Sequence, residues 1–267
     1  MKNKKIMSSI EVGEICSQIK NSKNEDFIKQ CFRTLLSQVP MNFHDVTATQ
    51  LWRARKTDIN NPNGFSNITD IIYPPEQHVK KGRLNKEKMP VLYASVSNHG
   101  CLAEIGAEPG DRVHVSAFTL NPGQKLHCGL IGEIVKAHKW DNEKFYCVQD
   151  LLKPYLEEQR TALFIIDSFL AEILSDNEAK QNGYMHTTIL ADVIREGKRK
   201  LDAIVYPGVE SFGAKNYAID SNAMLKFNIP DMYLIEITRK HPYGFYEWRT
   251  LRKRESYSSG IIKWKDL

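Results

Sequence analysis

The sequence predicts an α+β fold, on three observations. The first 39 residues carry apolar residues at helical spacing. From Val46 to Leu120, short β-prone runs alternate with Gly, Pro and Asn. A helical block then separates these runs from a second set of strands. The chain has 267 residues, 42% of them hydrophobic, so it can build a substantial core and falls outside the disordered class.

Ile15 and Ile19 make one helical step, and Phe27, Cys31 and Leu35 continue the pattern as a four-residue stripe. Pro40 and the polar run after it end this unit, so residues 1–45 are expected to form a helical cap or subdomain. Residues 46–267 form the main domain. Strands are expected at Gln50–Arg55, Val91–Val96 and Arg112–Leu120, with a turn-rich loop at Asn60–Asn67 and a short helix at Cys101–Gly106. The helical insertion, at about 141–197, carries stripes at Phe145–Tyr155 and Leu163–Ile173 and a third helix at Tyr184–Arg195, stopped by Gly197. Pro154 should kink or divide the first of these. Strands return at Leu201–Tyr206, Asn216–Ile219, Met232–Thr238, Phe245–Leu251 and Gly260–Trp264.

The net charge of +5 is a mild excess and gives no direct support to nucleic-acid binding. The five cysteines are scattered without a CxxC pair, which argues against a disulfide framework or zinc knuckle, and no metal is expected. No signal-peptide pattern opens the chain, and the most apolar stretch, Ala162–Leu174, is too short and too charged to span a bilayer. A cytoplasmic protein with no membrane partner is expected. P-loop, GxGxxG, HExxH and GxSxG patterns are absent. His78, His99 and His127 are placed near loops, and Cys101 is expected to be a buried small residue.

Four short islands carry the chemical signal: Leu51-Trp52-Arg53-Ala54-Arg55; Gly82-Arg83-Leu84-Asn85; Val91-Leu92-Tyr93-Ala94-Ser95 leading to Leu102-Ala103-Glu104; and Tyr206-Pro207-Gly208 leading to Asn216. In this order they resemble the RES domain, a family of NAD-degrading toxins of toxin–antitoxin systems. The resemblance covers roughly Leu51–Ile219. It implies an ADP-ribosyltransferase-like fold, a split and twisted β-core with peripheral helices around an NAD cleft. It also implies NAD as the substrate, cleavage of its nicotinamide–ribose bond with water or phosphate as acceptor, and a protein antitoxin as partner. Homo-oligomerisation is left open.

The residue chemistry fits. Guanidinium forks suit a pyrophosphate and stay charged at any relevant pH, and the family pattern puts Arg53 and Arg83 in that role. Arg55 shares a strand face with Arg53, so the two could exchange roles. Tyr93 can stack on nicotinamide, with a cation–π contribution of ~0.5–2 kcal/mol. Glu104 can steady the oxocarbenium that forms as the base leaves, an effect on the order of 3–4 kcal/mol for one preorganised group. The alternative for Glu104 is a helix N-terminus, where the dipole favours a carboxylate. The chain departs from the pattern at Gly208, which stands where family members carry serine; Ser211 could supply the hydroxyl, and Asn216 completes the binding set. Two other functions stay open. One is an ADP-ribosyltransferase acting on a macromolecule, disfavoured by Leu102 two positions before Glu104; the other is a non-catalytic nucleotide-binding or interaction module.

Overall fold

The computed structural model describes residues 6–39, 42–58, 60–140, 150, 152–197, 200–208, 210 and 214–267. The chain is mixed α+β, with one large sheet and several helices. It divides into two compact units: Met1–His44, Gly82–Leu84 and Gly129–Leu201 form a helical unit, and Asp45–Lys81, Asn85–Cys128 and Asp202–Leu267 form a sheet unit.

In the helical unit, α1 (Ser9–Asn21) starts at a capping box in which Ser8 and Glu11 satisfy each other's backbone N–H groups. The Asn24 side chain caps α2 (Glu25–Gln38). The expected stripe needs one correction. Ile28, Cys31, Phe32 and Leu35 are buried, whereas Phe27 is 44% exposed, because the core-facing arc of α2 is centred one residue later than a Phe27–Cys31–Leu35 line. After α3, which belongs to the sheet unit, come α4 (Glu133–Trp140), α5 (Glu157–Ser175) and α6 (Met185–Arg195). The sequence pattern missed α4, whose start is set from outside itself. The buried Asp167 carboxylate of α5 accepts from Gly132 N at 2.9 Å and Val135 N at 3.0 Å, capping α4 through a tertiary contact. Phe145 and Val148 lie outside the described residues. Pro154 falls in a turn ahead of α5, consistent with its inability to continue a helix.

The sheet contains β1 (Asn42–Val46), β2 (Gln50–Lys56), β3 (Val91–Ser95), β4 (Arg112–Leu120), β5 (Leu126–Leu130), β6 (Ala203–Pro207), β7 (Lys215–Asp220), β8 (Phe227–His241), β9 (Phe245–Ser258) and β10 (Ile261–Asp266). Their order is β1-β5-β6-β7-β3-β2-β4-β8-β9-β10, and every pairing from β6 to β10 is antiparallel. The strands β1 and β5 were not foreseen, since each is short and polar residues interrupt its alternation.

The joint between β2 and β3 differs from the others. β2 pairs with β4 along its whole length, and β3 with β7 along its whole length. Between β2 and β3 a single pair, Trp52↔Ser95, makes the connection. On one face of the sheet, α3 (Asn98–Glu104) packs through Cys101, Leu102 and Ala103 on Ala54, Val113, Val115, Ile235 and Ile237. On the other, the His114 ring is covered by Phe65, at 5.8 Å between centroids, and by Trp264, at 5.1 Å. Trp264 Nε1 donates to the Phe65 carbonyl at 3.1 Å, and Gly64, at φ +91°, has no Cβ to strike the Trp264 ring.

Neither ring nitrogen of His114 has a partner, and burial, aided by Arg55, pushes its pKa down to about 3. In the unfolded chain this histidine titrates at about 6.5. Below that pH the unfolded state takes up a proton that the folded state refuses, so stability falls as pH falls from about 6.5 toward 3. Between pH 7.5 and 5.0 the contribution lost is about 2 kcal/mol. His114→Phe should flatten the acid-side loss by that amount in urea unfolding followed at both pH values; an identical loss in the variant would contradict this.

Candidate functional site

Of the site residues proposed from sequence, Arg53, Tyr93, Glu104, Gly208 and Asn216 belong to the sheet unit and Arg83 to the helical unit. Arg53 leaves β2 next to the Trp52↔Ser95 bridge, where the strands separate. Val96 N–H donates to Lys215 O on the β7 side, so by alternation the backbone groups of Tyr93 and Ser95 face β2. There the Arg53 Nη1 donates to Tyr93 O at 3.0 Å, replacing a ladder hydrogen bond with a side-chain one. Its Nε is buried and without a partner. Burial, followed by the Arg55 charge, lowers the Arg53 pKa to about 10, so it is still a cation at neutral pH. Among the described residues no carboxylate pairs with it. A half-buried guanidinium with one hydrogen bond and no counter-ion is an expensive arrangement for a fold to keep.

Arg55 is placed differently. Its guanidinium lies 4.2 Å from the centre of the Phe65 ring and donates to the Asp70 carbonyl on the sheet face away from α3; Arg53 projects from this same face, opposite the one that carries Trp52, Tyr93 and Asn216. This separates two residues that strand alternation alone left interchangeable.

Tyr93 is half-buried on β3, and its hydroxyl donates to Asn85 Oδ1 at 2.8 Å. Asn85 is itself buried and gives both amide hydrogens away, to Lys80 O at 2.9 Å and Lys86 O at 2.8 Å. Sequence reasoning quoted Asn85 within an island and assigned it nothing. Its partner is eight residues away across a loop, and no periodicity marks such a pair.

Glu104 is the last residue of α3 and half-exposed. The dipole alternative is therefore corrected. The carboxylate sits at the C-terminal end of the helix, where backbone carbonyls disfavour it, and not at the N-terminal end. Glu104 Oε1 accepts from Glu210 N at 3.2 Å in the loop after β6. Cys101, one turn earlier, is a protonated thiol, pushed up to about 12 by burial; Arg53 pulls its pKa down and Glu104 pushes it up. The cation and the carboxylate therefore act on one buried sulfur.

Asn216, on β7, pairs with Ser95 and with Tyr206, which puts it on the sheet face shared by Tyr93 and Trp52. Its amide nitrogen and oxygen are buried and unpartnered. Gly208 N donates to Ala214 O at 2.8 Å, closing the β6–β7 connection, and Ser211 lies outside the described residues.

Arg83 has other partners. It belongs to the helical unit, where its Nη1 donates to Leu174 O at 3.0 Å and Asp176 O at 2.8 Å. These are carbonyls at the C-terminal end of α5, the place where a cation is favoured. Its guanidinium thus has a structural occupation that no local sequence signal announces.

The histidines have settled positions. His99 lies within α3, and its Nδ1 accepts from Tyr246 N at 3.2 Å between the Phe245 and Trp248 rings. His127 is on β5, 2.7 Å from Asp45 Oδ1. Both stand at the second residue of their element, next to the loop that precedes it. Among the described residues no group of three or more His, Cys, Asp or Glu could hold a metal ion, and no helix is long and apolar enough to cross a membrane. No protein-family model, curated protein or solved structure matches this chain.

What seats α3, and with it Glu104, is a close approach. A Cβ on Gly100 would stand 2.4 Å from Ser95 Oγ and 3.0 Å from Ser97 Oγ. Gly100→Ala should therefore displace α3 and destabilise the sheet unit by about 1–3 kcal/mol. Ser95→Ala in the same chain should recover a substantial part, since the first obstruction is the hydroxyl. Chemical denaturation of the single and double variants checks this; absence of recovery would show that the crowding lies elsewhere.

Proposed function

We propose that the sheet unit binds NAD and cleaves its nicotinamide–ribose bond, as a RES-type, ADP-ribosyltransferase-like domain. The observation that carries this is Arg53, a half-buried cation at the opening between β2 and β3 that has no carboxylate partner among the described residues. A diphosphate supplies the missing negative charge with paired oxygens that match a guanidinium fork. The single bridge between the two halves of the sheet supports a split core with its cleft at that joint.

Tyr93 offers an anchored ring for the nicotinamide. Glu104, held where its own helix end disfavours it, faces the positive charge that develops on the ribose. The C1′–N bond breaks and its electron pair leaves with neutral nicotinamide. An oxygen of water or phosphate bonds to C1′; an attacking water gives up its proton to solvent, and the product is ADP-ribose or its 1-phosphate. Arg83 is left out of this assignment, its guanidinium being accounted for by α5 carbonyls. In a cell such an activity drains NAD, which fits a cytoplasmic growth-arresting toxin held in check by a protein antitoxin. Gly208, standing where the family pattern has serine, favours a second reading, a module that binds NAD without turning it over.

Incubating the protein with NAD should release nicotinamide together with ADP-ribose or ADP-ribose 1-phosphate. Saturable binding without product selects the second reading, label transferred to a macromolecule selects transferase chemistry, and no binding at all rejects the assignment. Glu104→Gln should lower turnover by about 10²–10³ with little change in NAD affinity. Arg53→Met should abolish binding with a change in stability of no more than about 1 kcal/mol, because removal of an uncompensated charge offsets the lost hydrogen bond to Tyr93 O. Loss of stability with unchanged affinity would make Arg53 a structural residue.

A further inference from the structure

We infer that Asn85 is the positioning residue for Tyr93, setting the ring that receives the substrate's flat base; this rests on the NAD assignment above. Three observations converge. Asn85 is 5% exposed, so its polar atoms must find partners within the protein. Both amide hydrogens are committed to backbone carbonyls, Lys80 O and Lys86 O, one before Asn85 and one after it. This fixes which end of the amide is oxygen, since a flipped side chain would set its oxygen against two carbonyls. The Oδ1 must then accept, and the group that donates to it is the Tyr93 hydroxyl at 2.8 Å.

The direction of this bond matters for the site. With the Tyr93 hydrogen committed to Asn85, the phenol is held at its far end as well as at its Cα. Arg53 holds the Tyr93 carbonyl from the other side of the same residue. The ring is thus fixed at both ends before any ligand arrives, which removes an ordering cost from binding. Valine or leucine at position 85 would fill the space and still forfeit the three hydrogen bonds that the Asn85 amide makes. Asn85 itself touches no substrate in this arrangement and acts through Tyr93.

A double-mutant cycle on the full chain tests this, with the NAD dissociation constant read by titration calorimetry for wild type, Asn85→Ala, Tyr93→Phe and the double variant. Tyr93→Phe keeps the ring and removes the tether, so it should weaken binding about 3- to 10-fold, and Asn85→Ala should do the same. In the Tyr93→Phe background, Asn85→Ala should add less than about twofold, because the bond it removes is already gone. Effects that multiply independently, or an Asn85→Ala affinity equal to wild type, overturn the inference while leaving the NAD assignment standing. If Asn85→Ala does not fold, Tyr93→Phe decides alone, and wild-type affinity in that variant overturns it. A wild-type chain that binds no NAD overturns both.

Discussion

The sheet unit depends on how its two halves meet. A ten-stranded sheet could have been joined by a full ladder at every step, yet β2 and β3 share one bridge pair and then part. An exposed run of unpaired backbone groups there would be costly in a buried setting, and the Arg53 guanidinium meets part of that need by binding the Tyr93 carbonyl. The same geometry places a cation beside the opening, with no carboxylate paired to it among the described residues. Structure and candidate chemistry thus rest on one side chain, which closes a gap in the sheet and remains under-satisfied while doing so.

The helix α3 is the second constraint. Ser97 caps it, Gly100 lets it lie against Ser95 Oγ, and Cys101 to Ala103 bury its apolar side on β2 and β4. With those contacts in place, Glu104 has little freedom in where it falls. Its carboxylate stands at the helix end that disfavours it and accepts from Glu210 N in the loop after β6.

Much of the architecture could be read from the residues in order. β3 and β4 were legible because β-branched and aromatic residues stand between turn formers, and α5 and α6 because their apolar residues repeat at helical spacing. The elements that escaped, β1, β5 and α4, share a physical reason. Each is stabilised by partners distant in sequence, as α4 is by the carboxylate of Asp167, and carries a weak local pattern. The error at Phe27 is of the same kind, since several adjacent apolar residues allow more than one helical face and only packing selects between them.

For the candidate site, the sequence alone determined that Arg53 and Arg55 would share a strand face, that Tyr93 would lie on a mostly apolar strand, and that Glu104 would lie on a short helix among apolar residues. Those properties depend on spacings of a few residues, and the period of a strand or helix converts spacing directly into direction. The tertiary structure decided everything that depends on where distant segments meet. It turned Arg55 toward Phe65 and Arg53 toward Tyr93, gave Arg83 to the carbonyls of α5, and put Glu104 at the unfavourable end of its helix. It also set Asn85 under the Tyr93 hydroxyl. A side chain's type states what it can bind; which partner it finds is fixed by the path of the whole chain, and no local window contains that path.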